Sequence, residues 1–137
     1  MATTDEIKGK VKAGAEGVAM RLPVNLLESM VHDHDREVRL SVASRLPEAE
    51  LIRLIADPDY LIRATVARRL PHGQLSRLCK DEEREVRKVV ATRLPPFALH
   101  MLAGDPEPEV RAIVVGGNRF RIAVNHDGFV TVFAHRR

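Results

Sequence analysis

The sequence predicts an all-α superhelix, a solenoid of four 24-residue repeats, with a C-terminal β-hairpin. Three observations predict it. VAMRLPVNLLESMVHDHDREVRLS (18–41), VASRLPEAELIRLIADPDYLIRAT (42–65), VARRLPHGQLSRLCKDEEREVRKV (66–89) and VATRLPPFALHMLAGDPEPEVRAI (90–113) align without a gap. Within a unit the apolar residues recur at helical spacing, as in Leu51, Leu54 and Ile55 and then Ile62, Val66, Ala67 and Leu70, not in the alternation of a strand. After Gly116-Gly117 the language changes, and FRIAVNHDGFVTVFAH carries two β-rich runs around Asn125-His126-Asp127-Gly128.

Each repeat reads as a long helix followed by a short helix or turn. The long helix is expected to start at an aspartate and proline, Asp57-Pro58 or Asp105-Pro106, with Asp as N-cap and Pro at the first helical position. Its stop is Leu22-Pro23, Leu46-Pro47, Leu70-Pro71 or Leu94-Pro95, because proline disfavours helical geometry in the residue before it. Residues 1–17 read as an N-terminal capping helix, with Thr4 as N-cap and a stripe of Ile7, Val11 and Ala15 running on to Val18 and Leu22. Gly9, Gly14 and Gly17 weaken that helix. Residues 18–115 hold the four repeats and the start of a fifth at Val114-Val115, and residues 116–137 form the hairpin cap. Pairing Asn125 with Phe129 would put Phe120, Ile122, Val124, Val130, Val132 and Ala134 on one face, enough to close the last repeat. Phe129 and Phe133 on the other face leave a second use for the hairpin, as the edge of a homodimer.

The segment VHDHDREVRL (31–40) looks like a run of metal ligands, with His32, Asp33, His34 and Asp35 in sequence. Its acids recur in every repeat, as Asp57 and Asp59, Asp81 and Glu83, Asp105 and Glu107, whereas its histidines do not. A helix cap repeats in this way; a single metal site does not, so the cap is the preferred reading. A second column holds Arg39, Arg63, Arg87 and Arg111, each six residues after its aspartate. At about 100° per residue, Arg39 falls beside the stripe of Val38, Val42 and Leu46, where an unpaired guanidinium would be expensive. A carboxylate from Asp33, Asp57, Asp81 or Asp105 is the expected partner, giving an Asp–Arg ladder from repeat to repeat.

Arg21, Arg45, Arg69 and Arg93 form a third column, joined by Arg68 and by Arg53, Arg77, Lys80 and Lys88. Aligned by stacking, they would offer a track for an acidic partner or for nucleic-acid phosphates. The simpler use of such cations is to cover apolar stems and pair with nearby acids such as Glu37, Glu82, Glu83 and Glu85. Leu40, Leu61, Thr65, Val89 and Ile113 make the opposite face less polar than solvent faces usually are, as in a protein-binding groove.

Composition sets the remaining bounds. The chain has 137 residues, 45% hydrophobic and 30% charged, which suits one folded domain rather than a disordered chain. It has no Trp, one Tyr and four Phe, so its core is aliphatic. A net charge of +3 permits an anionic partner without demanding one. MATTDEIKGK resembles neither a secretory signal nor a membrane span, so a cytoplasmic protein without membrane contact is expected. Cys79, the single cysteine, excludes an internal disulfide or a multi-cysteine cluster, and shares its column with Val31, Ile55 and Ala103 as a small core residue. The histidines His32, His34, His72, His100, His126 and His135 are scattered; Ser41, Ser44 and Ser76 have no His/Asp arrangement nearby; and no phosphate loop is present. A non-enzyme without a cofactor is expected.

The spacing seen from Asp57 to Ile62-Arg63 and from Asp105 to Val110-Arg111 resembles the second helix of HEAT repeats. The unit VAxRLPxxxLxxLxxDpdxxVR is more similar to the leucine-rich repeat variant (LRV) family, and the resemblance covers about 18–115. It implies an ARM-type right-handed superhelix in which α-helices alternate with short 3₁₀ helices. Some members carry an N-terminal iron–sulfur domain and occur in nitrogen-fixing bacteria. This chain lacks those cysteines, so only a bacterial, nitrogen-fixation-associated context is suggested. The expected function is a non-catalytic scaffold for a protein partner; the alternative is nucleic-acid binding through the arginine column.

Overall fold

The computed structural model describes residues 23–116, the single position Glu6, and the backbone of 120–124 and 130–134. The capping helix expected over 1–17, Arg21 and the loop containing Asn125 and Phe129 lie outside the described residues. Packing divides the chain into two units, Met1–Leu70 and Pro71–Arg137. In the first are α1 (Val24–Ser29), α2 (Arg36–Arg45), a 3₁₀ helix (Glu48–Leu54) and α3 (Tyr60–Arg69). In the second, a 3₁₀ helix (His72–Leu78) leads to α4 (Arg84–Arg93), then a 3₁₀ turn (Pro96–Ala98), α5 (His100–Ala103) and α6 (Pro108–Gly116).

The same apolar columns build both interiors. Val42, Ala43 and Leu46 are fully buried in the first unit, and Val90, Ala91 and Leu94 occupy the matching places in the second. Leu51 and Leu54 on one 3₁₀ helix correspond to Leu75 and Leu78 on the other, all at most 3% exposed. With three residues per turn, a 3₁₀ helix eclipses side chains at i and i+3, so each leucine pair faces the core together. That shared burial holds segments of seven residues in a conformation that seldom exceeds four.

Helices α2, α3 and α4 end in the same corner. Leu46, Leu70 and Leu94 donate their N–H groups to Val42, Val66 and Val90, completing the last helical turn. Their own dihedrals then leave the helix at φ/ψ of −55/145, −54/141 and −58/137, as the following proline requires. Pro47, Pro71 and Pro95 remain extended, and their carbonyls accept from Glu50, Gln74 and Ala98 to open the 3₁₀ turns.

Helix starts differ from the expected ones. The N-cap of α3 is Asp59, not Asp57, and its carboxylate accepts from Leu61 N–H. Asp35 likewise caps α2 through Glu37 N–H. Pro108, not Pro106, takes the first helical position of α6. Two acids compete in every turn; at Asp35 and Asp59 the second, with its extended backbone, reaches the N2 amide, whereas Glu83 takes the same place before α4 without a side-chain cap bond.

Beyond α6, the backbone of β1 (Phe120–Val124) pairs antiparallel with β2 (Val130–Ala134), Phe120 opposite Ala134 and Val124 opposite Val130. Among the described residues this pair joins no other strand. The expected fold class is therefore corrected: the fold is an all-α repeat, and a β-hairpin cap is not part of it. Two strands without a third are marginal in water and supply no independent fold element. The side-chain faces assigned to that segment lie outside the described residues.

Candidate functional site

Every repeat brings the same three groups together at the turn before its long helix. The first aspartate folds back on the turn, so that Asp33, Asp57, Asp81 and Asp105 accept through Oδ1 from the backbone N–H two residues on, each at 2.9 Å. The arginine six residues later then donates to that aspartate's carbonyl oxygen. Arg39, Arg63, Arg87 and Arg111 reach Asp33, Asp57, Asp81 and Asp105 at 2.8, 2.8, 2.7 and 2.6 Å.

Two guanidiniums also fork onto the carboxylate of the following repeat. Arg39 Nε lies 2.9 Å from Asp57 Oδ2 and its Nη2 lies 3.5 Å from Oδ1. Arg87 repeats the arrangement on Asp105 at 2.8 and 3.3 Å. The Asp57 and Asp105 side chains are only 3% exposed, and those of Arg39 and Arg87 13% and 10%. Burying such charges is tolerable here because the lone pairs and N–H groups are met by bonds. The result is a rung that ties one turn to the next within each unit.

The outer arginine column has a different fate at each position. Arg69 donates Nη1 to Ala43 O and Nη2 to Leu46 O, both at 2.7 Å, and so caps the last carbonyls of α2. Burial pushes its guanidinium pKa down from the ordinary value. Arg45 donates to Ser41 O at 3.4 Å within its own helix. Arg93 is half-buried in the last turn of α4, and Arg68 is exposed on α3. Arginines of this column therefore serve different ends, and at Arg69 the fork is occupied by backbone.

Surface pairs close the outer face. Arg36 hydrogen-bonds Asp59, and that bond holds the Asp59 carboxyl below its ordinary pKa. Lys88 bridges Glu109 at 3.0 Å, which lowers the glutamate and raises the lysine. Tyr60 (40%) and Leu61 (39%) remain exposed in the first unit. In the second, Phe97 (79%) and Val115 are exposed. Leu40, Thr65, Val89 and Ile113 are half-buried.

Two concavities sit over the two rungs. One of about 280 Å³ is lined by His32, His34, Arg53 and Leu54 above Arg39 and Asp57. Its counterpart of about 170 Å³ is lined by Cys79, Lys80, Met101 and Gly104 above Arg87 and Asp105. Cys79 is 1% exposed, and burial pushes its thiol pKa up, the reverse of an activated nucleophile. Among the described residues, no group of three His, Cys, Asp or Glu side chains could hold a metal ion. No helix among them is long and apolar enough to cross a membrane.

Sequence reading missed the turn-closing role of the first aspartate. The signal was present: acids two residues apart, at 33 and 35, 57 and 59, 81 and 83, and 105 and 107, cannot both be the N-cap.

The geometry agrees with what comparison finds. The model of the family described as leucine rich repeat variant matches residues 36–59 and 84–107. A solved structure described as a leucine-rich repeat variant with a novel repetitive protein structural motif is 44% identical, with a TM-score of 0.70, over 86% of this chain. This chain spans 52% of that one, about half its length. A crystal structure of an engineered protein is 17% identical over 85% of this chain and 66% of its own, and at a TM-score of 0.41 it supports no argument. Comparison with curated proteins gives no match.

These findings also correct the partner expectation. The shared fold is all-α, so a homodimer through a C-terminal β-hairpin edge is withdrawn. The chain is a repeat protein in which α-helices alternate with 3₁₀ helices. Its 24-residue unit, its Asp–Arg turns and its likeness to a solved repeat variant lead to one identity: the chain belongs to the leucine rich repeat variant family.

Proposed function

We propose that the chain binds a protein partner through the side chains that its repeats leave at the surface. One observation carries this reading. The polar groups of the turns are met by bonds within a repeat and to the next one, while large apolar side chains, Phe97 above all, stand in solvent. Phe97 shares a column with Asn25, Ala49 and Gly73, so nothing in the repeat calls for an aromatic there. Exposed aromatics of this kind are the usual anchors of protein interfaces. The test is affinity capture with the full chain from an extract of its source cells, alongside Phe97→Ala and Tyr60→Ala variants. A stoichiometric protein captured by the parent and lost with a variant supports the reading; capture of none overturns it.

Nucleic-acid binding through Arg21, Arg45, Arg69 and Arg93 is the less favoured reading, because both terminal nitrogens of Arg69 are already bonded to carbonyls. Salt-titrated DNA and RNA binding decides it. A steep fall of affinity with salt, lost on Arg45→Ala/Arg69→Ala/Arg93→Ala, would revive it.

A further inference from the structure

The pocket over the Arg39–Asp57 rung has a satisfied floor and an unsatisfied rim. In the floor, the Asp57 carboxylate takes N–H groups from Arg39 and from Asp59, and Asp33 takes the Asp35 N–H. Arg39 and Asp57 pair in the floor, whereas Asp33 keeps its negative charge while its Oδ1 accepts from the Asp35 N–H, so an anion entering the pocket must work against it. Around the rim stand His32, His34 and Arg53. Both histidines are exposed and make no hydrogen bond with any described residue. Arg53 is 40% exposed, and its Nη1 lies 3.9 Å from the carboxylates of Glu28 and of Glu50, beyond hydrogen-bonding reach.

The two histidines are not demanded by the repeat, and Arg53 recurs in its column only as Arg77. In the pocket over the Arg87–Asp105 rung the floor is the same, but Lys80, Glu82 and Met101 replace His32, His34 and Arg53 in their columns. A constant floor with a changed rim points to a local use of the rim. Its chemistry is that of a donor: five guanidinium N–H groups and two imidazoles, each imidazole a double donor when protonated. A metal ion is not served, since no three potential ligands converge there. A cationic ligand would meet carboxylates that are already engaged.

We propose that this pocket binds an oxyanion, the carboxylate or phosphate of an acidic group, with Arg53 as the fork and His32 and His34 as flanking donors. Arg53 supplies planar, two-pronged recognition. Glu28 and Glu50 face it from α1 and from the Glu48–Leu54 helix and compete for it, and Asp35 flanks His34, so affinity is modest and falls with salt. The volume of about 280 Å³ exceeds one oxyanion and admits part of its carrier. Only the identity of that carrier as a partner protein rests on the interaction reading above; the anion site does not.

The experiment is a titration of the full chain with inorganic phosphate, and separately with acetate, against chloride at constant ionic strength. Ring resonances of His32 and His34 are followed by NMR near about pH 6, with His72 and His100 as internal references. Saturable shifts confined to His32 and His34 are expected, with half-saturation at least roughly tenfold higher in Arg53→Met, as for the loss of a charge-assisted hydrogen bond. Saturation by either anion supports the site, and the better of the two tells whether the oxyanion is tetrahedral or planar. Unsaturated drift shared by all four histidines overturns the proposal, as does a curve unchanged in Arg53→Met. Failure of these small probes leaves the capture experiment, and the partner reading, standing.

Discussion

Asp57 is the residue whose removal best tests the physical account of the repeat. It is 7% exposed as a residue, and its carboxylate accepts from Arg39 Nε at 2.9 Å, Arg39 Nη2 at 3.5 Å and Asp59 N–H at 2.9 Å. In Asp57→Ala the Arg39 guanidinium, its side chain 13% exposed, keeps only the Asp33 carbonyl at 2.8 Å. Breaking a buried pair from one side costs about 3–5 kcal/mol, since it strands the other charge. Losing the partner of a turn amide adds about 1 kcal/mol. A total of about 4–6 kcal/mol is a large share of the roughly 5–15 kcal/mol that holds a domain folded. Asp57→Asn keeps an oxygen for the Asp59 amide and removes only the charge, so about 2 kcal/mol is expected. The double variant Arg39→Met/Asp57→Leu removes both charges at once and should recover most of the loss. Urea unfolding of the full chain, followed by circular dichroism, measures all three, and Asp57→Asn stays readable if Asp57→Ala fails to fold. A loss below about 1 kcal/mol for Asp57→Ala, the range of solvent-exposed pairs, would refute the rung as a buried and coupled element. So would a double variant as unstable as the sum of its singles.

Leu75→Ala, at a fully buried position, should cost about 2–5 kcal/mol, whereas Phe97→Ala at 79% exposure should leave the unfolding midpoint in place. The Arg36 bond holds Asp59 below its usual carboxylate pKa, so its contribution is present above the ordinary range of about 4 and is lost as pH falls through the lowered value. Arg36→Met should therefore move the Asp59 carboxyl titration upward in a carbon-detected NMR series, and an unmoved curve would refute the pairing. Cys79 should react with a thiol reagent at the rate of local unfolding, faster in urea; immediate reaction in native buffer would contradict its burial.

The repeat is legible because it is printed several times. Period, helix stops and buried columns follow from Leu-Pro pairs and from apolar spacing, and neither depends on distant contacts. Helix starts are less legible. Asp57 and Asp59 are equally good caps by residue type, and only the backbone angle at Asp59 selects it. The need of Arg39 for a carboxylate follows from its phase on the helix, but which aspartate it meets depends on how repeats stack; the structure places Asp57. The C-terminal segment shows the opposite failing. Alternation forecasts extended backbone, yet says nothing of what that backbone packs against, and a cap and a dimer edge were inferred from it. His32 and His34 illustrate a third case. Columns mark them as odd, but the pocket needs Arg53 from the next repeat, which a comparison of columns does not bring opposite them.

The Leu–Pro corner has a consequence for how such a chain can grow. Its exit direction is stored in two adjacent dihedral pairs near −55/145, held by a pyrrolidine ring instead of by any neighbour's side chain. Every copied 24-mer thus brings its own steering with it, and lengthening by duplication needs no new solution at the seam. A single inserted residue is another matter. It would swing all that follows by about 100° and carry Arg39 away from its carboxylate, which is reason enough for a period kept to the letter.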